Sequence, residues 1–325
     1  MWIDYKVPVR MLSAYLTACT LAASFGCSQS PPTRPTPFPR YRNLDAIPSW
    51  SPDGRSIAYL HEPRGSADIE HIAIVDVADG STRALTVISP RVSPQIAWSP
   101  DGTRIAYYHG GISTLEIETH TTRLWTGPSS AYPAWSPDGR FLIYLITLRR
   151  ASAPDSTAGL HIIDTHVGDE RALIRDGSKT TFGSYPVWSP NGSTIAFMSN
   201  ESATGGNICC VEKDGTRYRQ ITRLSGWCAD LQWSADGQRI YFHFTPGSAT
   251  FGNPAVTKSW VVNEDGTDAH QLPFDLGDPR VHFWFQFSIG PEDRVAYSGL
   301  DPTGSGGVIW TMNVDGTERC QITVP

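Results

Sequence analysis

The stretch Trp50-Ser51-Pro52-Asp53-Gly54 decides the fold, because the chain repeats it. WSPDG returns at Trp98 to Gly102 and at Trp135 to Gly139. WSPNG follows at Trp188 to Gly192, and WSADG at Trp233 to Gly237. The pentapeptide has the residues of a tight turn. Proline presets φ near −65°, Asp or Asn supports its neighbour through the side chain, and glycine takes the left-handed position. A strand pattern follows each copy, as RSIAYL after Gly54, TRIAYY after Gly102 and RFLIYL after Gly139. Each copy is therefore read as the first turn of a β-meander.

The anchors recur at intervals of roughly 37 to 54 residues, the period of a propeller or a stacked array. A sixth, degenerate copy is placed at Phe287, in FSIGPEDRVAYS. A second hairpin follows in each repeat, with third strands such as IAIVDV (72–77), STLEIE (113–118) and VIWTMN (308–313). Three of the six third strands run into Asp-Gly-Thr, at Asp214, Asp265 and Asp315, and a short outer strand closes the unit. Four strands per repeat and six repeats predict an all-β chain, a six-bladed β-propeller of four-stranded antiparallel blades. The blades are expected over 43–87, 91–127, 131–175, 183–223, 228–273 and 281–323. Trp50, Trp98, Trp135, Trp188, Trp233 and Phe287 are the expected structural anchors, wedged between blades. The last outer strand, Gln321 to Thr323, is expected to complete its own blade, with residues 38–42 pairing beside it.

WSPDG, then xxIAY, an apolar strand and DGT, resembles the WD-like repeat of the TolB-like propeller family over residues 43–323. That resemblance implies the propeller fold. It leaves a Tol-system role open, because the α/β domain that precedes the TolB propeller has no counterpart here; only a Pro-rich stretch stands in its place. The propellers of prolyl oligopeptidase-type enzymes are also similar, but no G-x-S-x-G occurs in the chain. The propeller is expected to stand alone.

The first 26 residues read as a signal peptide. Lys6 and Arg10 precede a mostly apolar run, Met11 to Gly26, which is short for a membrane span. Cys27 is the expected lipidation site, and Cys19, in Leu-Thr-Ala-Cys, is its rival. Residues 27–42 form a proline-rich tether, for which an extended spacer is expected. The propeller then occupies 43–325. Export implies an oxidising compartment, so Cys228 could bridge Cys209 or Cys210, or all four remaining cysteines could be thiols. No C-x-x-C or Cys/His spacing points to zinc. With a net charge of −6 and no basic run, nucleic acid is not an expected partner.

In a four-stranded meander the first and third turns share one face of the disc. Those turns, WSPDG and DGT, are short and alike. The second turns and the inter-blade links vary, and loops of that kind carry function. The variable face is the candidate binding face, with His61, His109, Arg149, Arg150 and Trp227. His61 and His109 hold matching repeat positions, and His243 falls one residue earlier. Matched histidines hold a metal in the oligogalacturonate lyases, which this repeat resembles, but here Ile146 and Ser199 occupy the next two blades. No metal, no cofactor and no catalytic set is assigned. The expected function is an exported, monomeric, non-catalytic propeller lipoprotein, periplasmic or associated with the outer membrane. It would touch the membrane through its lipid only and bind a protein or an envelope polymer. The alternative is a metal-dependent polysaccharide lyase or a lactonase-type hydrolase.

Overall fold

A computed structural model describes residues 44–63, 70–88, 95–128, 130–146, 158–175, 185–202, 205–247, 256–275, 287–304 and 306–324. The chain is a six-bladed β-propeller with four antiparallel strands per blade. Blade 1 shows the pattern, with strands Leu44–Trp50, Ser56–Glu62, Glu70–Asp76 and Thr82–Ile88 running from the channel outward. The other inner strands are Ala97–Trp98, Ser130–Trp135, Val187–Trp188, Gly226–Trp233 and Phe287–Ile289. Blade 6 takes its outer strand, Cys320–Gln321, from the end of the chain, as expected. Blades 6 and 1 also meet through one parallel bridge, Leu44 to Gly307. The proposed pairing of residues 38–42 lies outside the described residues.

The pentapeptide turns form as their residue types dictate. Gly54, Gly102, Gly139, Gly192 and Gly237 have φ between 68° and 75°, which glycine adopts without steric cost. The serine matters as much as the glycine. Ser51 Oγ donates to Asp53 Oδ1 at 2.6 Å and accepts the Ser56 amide at 2.9 Å, while the Arg55 amide donates to Asp53 at 3.1 Å. The same three bonds recur around Ser99, Ser136, Ser189 and Ser234. These serines are 0–4% exposed. A buried hydroxyl must be hydrogen-bonded, and here it closes the turn on itself.

Blades pack through six apolar clusters, each joining two neighbours. Trp50, Ile57, Tyr59 and Val75 of blade 1, for example, meet Ala296 and Ile309 of blade 6; the other five junctions are built alike. The ring is therefore closed, and the apolar contact of blade 6 with blade 1 is of the same kind as at the other junctions. A Cβ built on Gly54 would lie 3.4 Å from Pro291 of blade 6, and Gly139, Gly192 and Gly237 face Pro100, Pro137 and Pro190 of their preceding blades in the same way.

Register corrects one anchor. Trp50 stands opposite Ile57, and Trp98, Trp135, Trp188 and Trp233 stand opposite Ile105, Leu142, Ile195 and Ile240. In blade 6 the residue opposite Val295 is Ile289, not Phe287, which faces Tyr297. The turn after Ile289 is one residue shorter: the Gly290 amide reaches the Arg294 carbonyl, four residues on, where Ser51 reaches Ser56, five residues on. The tryptophan's place thus passes to Ile289, and Gly290 lies flat against Trp50, whose Cγ would stand 2.5 Å from an added Cβ.

Candidate functional site

The two faces of the disc differ in construction. In every blade the third turn is hydrogen-bonded to the first. Val77 N reaches Arg55 O, Ile117 reaches Thr103, Thr165 reaches Arg140, Lys213 reaches Ser193, Glu264 reaches Gln238, and Val314 reaches Asp293. This confirms that the two short turns share a face, and it makes that face a rigid lattice. Its aspartates are spent on it. Asp53 is held below the usual carboxylate range by the Ser51 hydroxyl and then by the Arg55 amide. In Asp101, burial pushes upward, but bonds from Ser99 and Thr103 and the charge of Arg104 outweigh it and bring the group to about 2. Asp214, Asp265 and Asp315 are lowered first by the hydroxyls of Thr216, Thr267 and Thr317.

Among the candidates on the opposite face, His61 is the last residue but one of the second strand of blade 1. Its Nδ1 lies 2.6 Å from Asp45 Oδ1, and its ring lies 6.5 Å from that of His71. The Asp45 bond raises the His61 pKa against a smaller opposing effect of burial. His109 is exposed in the short turn His109-Gly110-Gly111, whose ends are tied by a 2.8 Å backbone bond. Trp227 is half-buried at the start of the blade 5 inner strand, opposite Thr245. Arg149 and Arg150 lie outside the described residues, as does Cys27. His243 is 4% exposed and bonds Asp230 at 3.1 Å, and His161 bonds Glu170 at 3.0 Å. Each of these three histidines is tied to a carboxylate of its own blade. Among the described residues no group of three or more His, Cys, Asp or Glu side chains is placed to hold a metal. Cys209, Cys210 and Cys228 are buried thiols and Cys320 an exposed one. Burial pushes Cys210 and Cys228 up to about 12, which removes thiolate chemistry at neutral pH.

A feature absent from the sequence reading lies on the axis. A cavity of about 290 Å³ occupies the channel where the inner strands end, lined from all six blades. Its polar lining comprises Ser49, Gln95, Asp230, Gln232 and Ser288, and its wall includes Trp50, Trp98, Trp135, Trp188 and Tyr185. The inner strands bulge just before it. Ile47, Tyr132, Tyr185 and Asp230, each three residues before its tryptophan, have φ of 60°, 59°, 29° and 53°. Register shifts mark the bulge in blades 1, 3 and 5. Bulges re-aim side chains, and left-handed non-glycine residues cost about 1–3 kcal/mol each.

No family model matches the chain. A peptidase of Bacillus subtilis, YuxL, is 32% identical over 108 residues, 33% of this chain and 16% of that protein. The Tol-Pal system protein TolB of Francisella tularensis subsp. mediasiatica is 24% identical over 193 residues, 57% of this chain and 42% of that protein. The chain thus spans less than half the length of these relatives. Among solved structures, TolB from Acinetobacter baumannii superposes with a TM-score of 0.61 at 18% identity, covering 86% of this chain and 62% of that one. A putative TolB from Agrobacterium tumefaciens gives 0.56 at 23%, covering 70% and 80%. The oligogalacturonate lyase of Vibrio parahaemolyticus gives 0.54 at 13%, covering 89% and 80%. Strand count, ring closure and these superpositions agree on one conclusion: the chain folds as a TolB-like six-bladed β-propeller.

Proposed function

We propose that this chain is an exported, non-catalytic propeller of the cell envelope, lipid-anchored through Cys27, that binds a protein or an envelope polymer through its variable loop face. The observation that carries this reading is the asymmetry between the faces. On one, every first turn is bonded to its third turn and every capping aspartate is occupied. Such a surface repeats itself around the ring and suits one asymmetric partner poorly. Variation is left to the second turns and links, which carry His61, His109, Arg149, Arg150 and Trp227 and whose length and composition differ around the ring. Arg and Trp are the residue types that most often carry interface energy, at about 2 kcal/mol or more for a hot spot. Against catalysis stands the pairing of His61, His161 and His243 within separate blades rather than toward one reacting atom.

The reading is tested by using the mature chain to capture partners from solubilised envelope, with two double variants. Arg149→Glu with Arg150→Glu should abolish capture, while Asp214→Lys with Asp265→Lys on the opposite face should retain it. The reverse pattern, with both variants folded, assigns binding to the wrong face. Metabolic labelling with a fatty-acid analogue tests the anchor. Label should vanish in Cys27→Ala; label that survives there and vanishes in Cys19→Ala moves the site to the rival.

A further inference from the structure

We propose that the channel cavity is a binding site for an organic cation, an ammonium or guanidinium group on an apolar stem, seated between Asp230 and Gln95. The two residues hold one repeat position, three before Trp233 and three before Trp98. In a six-bladed ring, blades 2 and 5 are diametrically opposed, so the two side chains enter the cavity from opposite walls. Asp230 is the one charged residue in the lining among the described residues. Its carboxylate side chain is only 11% exposed, and His243 contacts one oxygen, Oδ2. Opposite it, Gln95 Oε1 is buried without a hydrogen-bond partner. A buried acceptor left unpaired costs about 1–3 kcal/mol, which a bound donor would recover.

The remaining lining fits the rest of such a ligand. Ser49 Oγ and Ser288 Oγ already accept the amides of Trp98 and Trp50. Four tryptophans and Tyr185 also contribute to the wall, aromatic side chains of the kind that line cation sites and cover an apolar stem. The guanidinium groups of Arg104 and Arg294 lie against the Trp135 and Trp50 rings but are not part of the lining. At about 290 Å³ the cavity is at the lower end of small-molecule sites. It admits one alkylammonium or one long basic side chain. The proposal is independent of the loop-face reading, since it concerns the other end of the channel and is measured without any envelope partner.

The full chain is titrated with n-butylammonium, n-butylguanidinium, n-butanol and calcium, read by tryptophan fluorescence and by calorimetry. Saturable binding is expected for the two cations and not for butanol. Asp230→Asn should weaken it about tenfold or more, the cost of losing a charged hydrogen-bond partner. Asn adopts the left-handed backbone readily and keeps an oxygen for His243, so this variant should fold, with its melting temperature measured beside its binding. Gln95→Leu should weaken binding as well and serves if Asp230→Asn does not fold. A hexapeptide with one central lysine, compared with butylammonium, separates the sources. Tighter binding of the peptide assigns the site to a partner's side chain, and equal or weaker binding assigns it to a free cation. The proposal is overturned if the organic cations do not saturate, if Asp230→Asn and Gln95→Leu both bind them as the parent does, or if calcium alone binds in an Asp230-dependent way.

Discussion

Trp188 and Trp233 hold the same place in successive blades, yet their indoles are served differently. Trp233 Nε1 donates to the Val187 carbonyl of the preceding blade at 3.4 Å, whereas Trp188 Nε1 is buried without a partner. Trp50, Trp98 and Trp135 share the second condition. The tryptophan is thus kept for its area, on the order of 200 Å² of apolar surface, and its N–H is tolerated. Trp→Phe removes the same volume at either site but removes a hydrogen bond only at Trp233. Urea unfolding should therefore show Trp233→Phe costing more than Trp188→Phe, by about 0.5–1.5 kcal/mol. Equal losses would mean that packing alone decides both. Gly290 makes the converse case. Its φ of −102° suits any residue, but an alanine Cβ would stand 2.5 Å from the Trp50 ring. Gly290→Ala should cost about 1–3 kcal/mol by overpacking at the junction of blades 6 and 1. A variant with unchanged unfolding midpoint would show that the indole can move aside.

The turn is the element that made the fold legible. Pro, Asp and Gly each have a backbone task that can be read from a single residue, so five copies in register announced the blades. The role of the serine was hidden, because its partner is an amide five residues away that only the folded turn brings back. Blade 6 was misread by two residues for a related reason: its turn is one residue shorter, and an alignment on aromatic character chose Phe287 where hydrogen bonding chose Ile289. The bulges at Ile47, Tyr132 and Tyr185 carried no signal, since tyrosine and isoleucine do not advertise positive φ. Ser99→Ala tests the turn. It strips the acceptor from the Arg104 amide and the donor from Asp101, and should cost about 1–2 kcal/mol. It should also blunt the loss of stability in acid. Asp101 titrates at about 2 in the folded chain, against about 3.9 unfolded, so its contribution is complete above the latter and fades as pH falls toward 2. Parallel acid titrations of parent and variant read this directly. Identical acid limbs would remove the serine from the account.

At the scale of the whole ring, one junction has no peptide link, and a side-chain latch stands there. Between blades 4 and 5 the chain is continuous, and Thr222 Oγ1 donates to Asn207 Oδ1 of its own blade at 2.9 Å, with Cys228 Sγ of the next blade 3.8 Å away. Thr323 and Asp45 hold the corresponding places where the end of blade 6 meets the start of blade 1. There Thr323 Oγ1 accepts the Ile309 amide at 2.9 Å and donates to Asp45 Oδ2 at 2.6 Å, and Asp45 Oδ1 takes His61 Nδ1. A hydroxyl that donates within its own blade at the one junction thus makes a charge-assisted bond across the other, where the backbone cannot help. Asp45 is 3% exposed, so removing its partners should be costly. Thr323→Val should lose about 1–3 kcal/mol, and no loss would mean that apolar packing alone closes the ring. His61 makes the latch sensitive to pH. Its folded pKa is raised above 6.5, first by the bond to Asp45, so the stability it adds is complete below the unfolded value and is lost as pH rises through the folded one. Unfolding midpoints measured from pH 6 to 8.5 should decline more steeply for the parent than for His61→Gln, which keeps a donor for Asp45 but cannot titrate. Parallel declines would show that Thr323 and the parallel bridge hold the seam without help from the histidine.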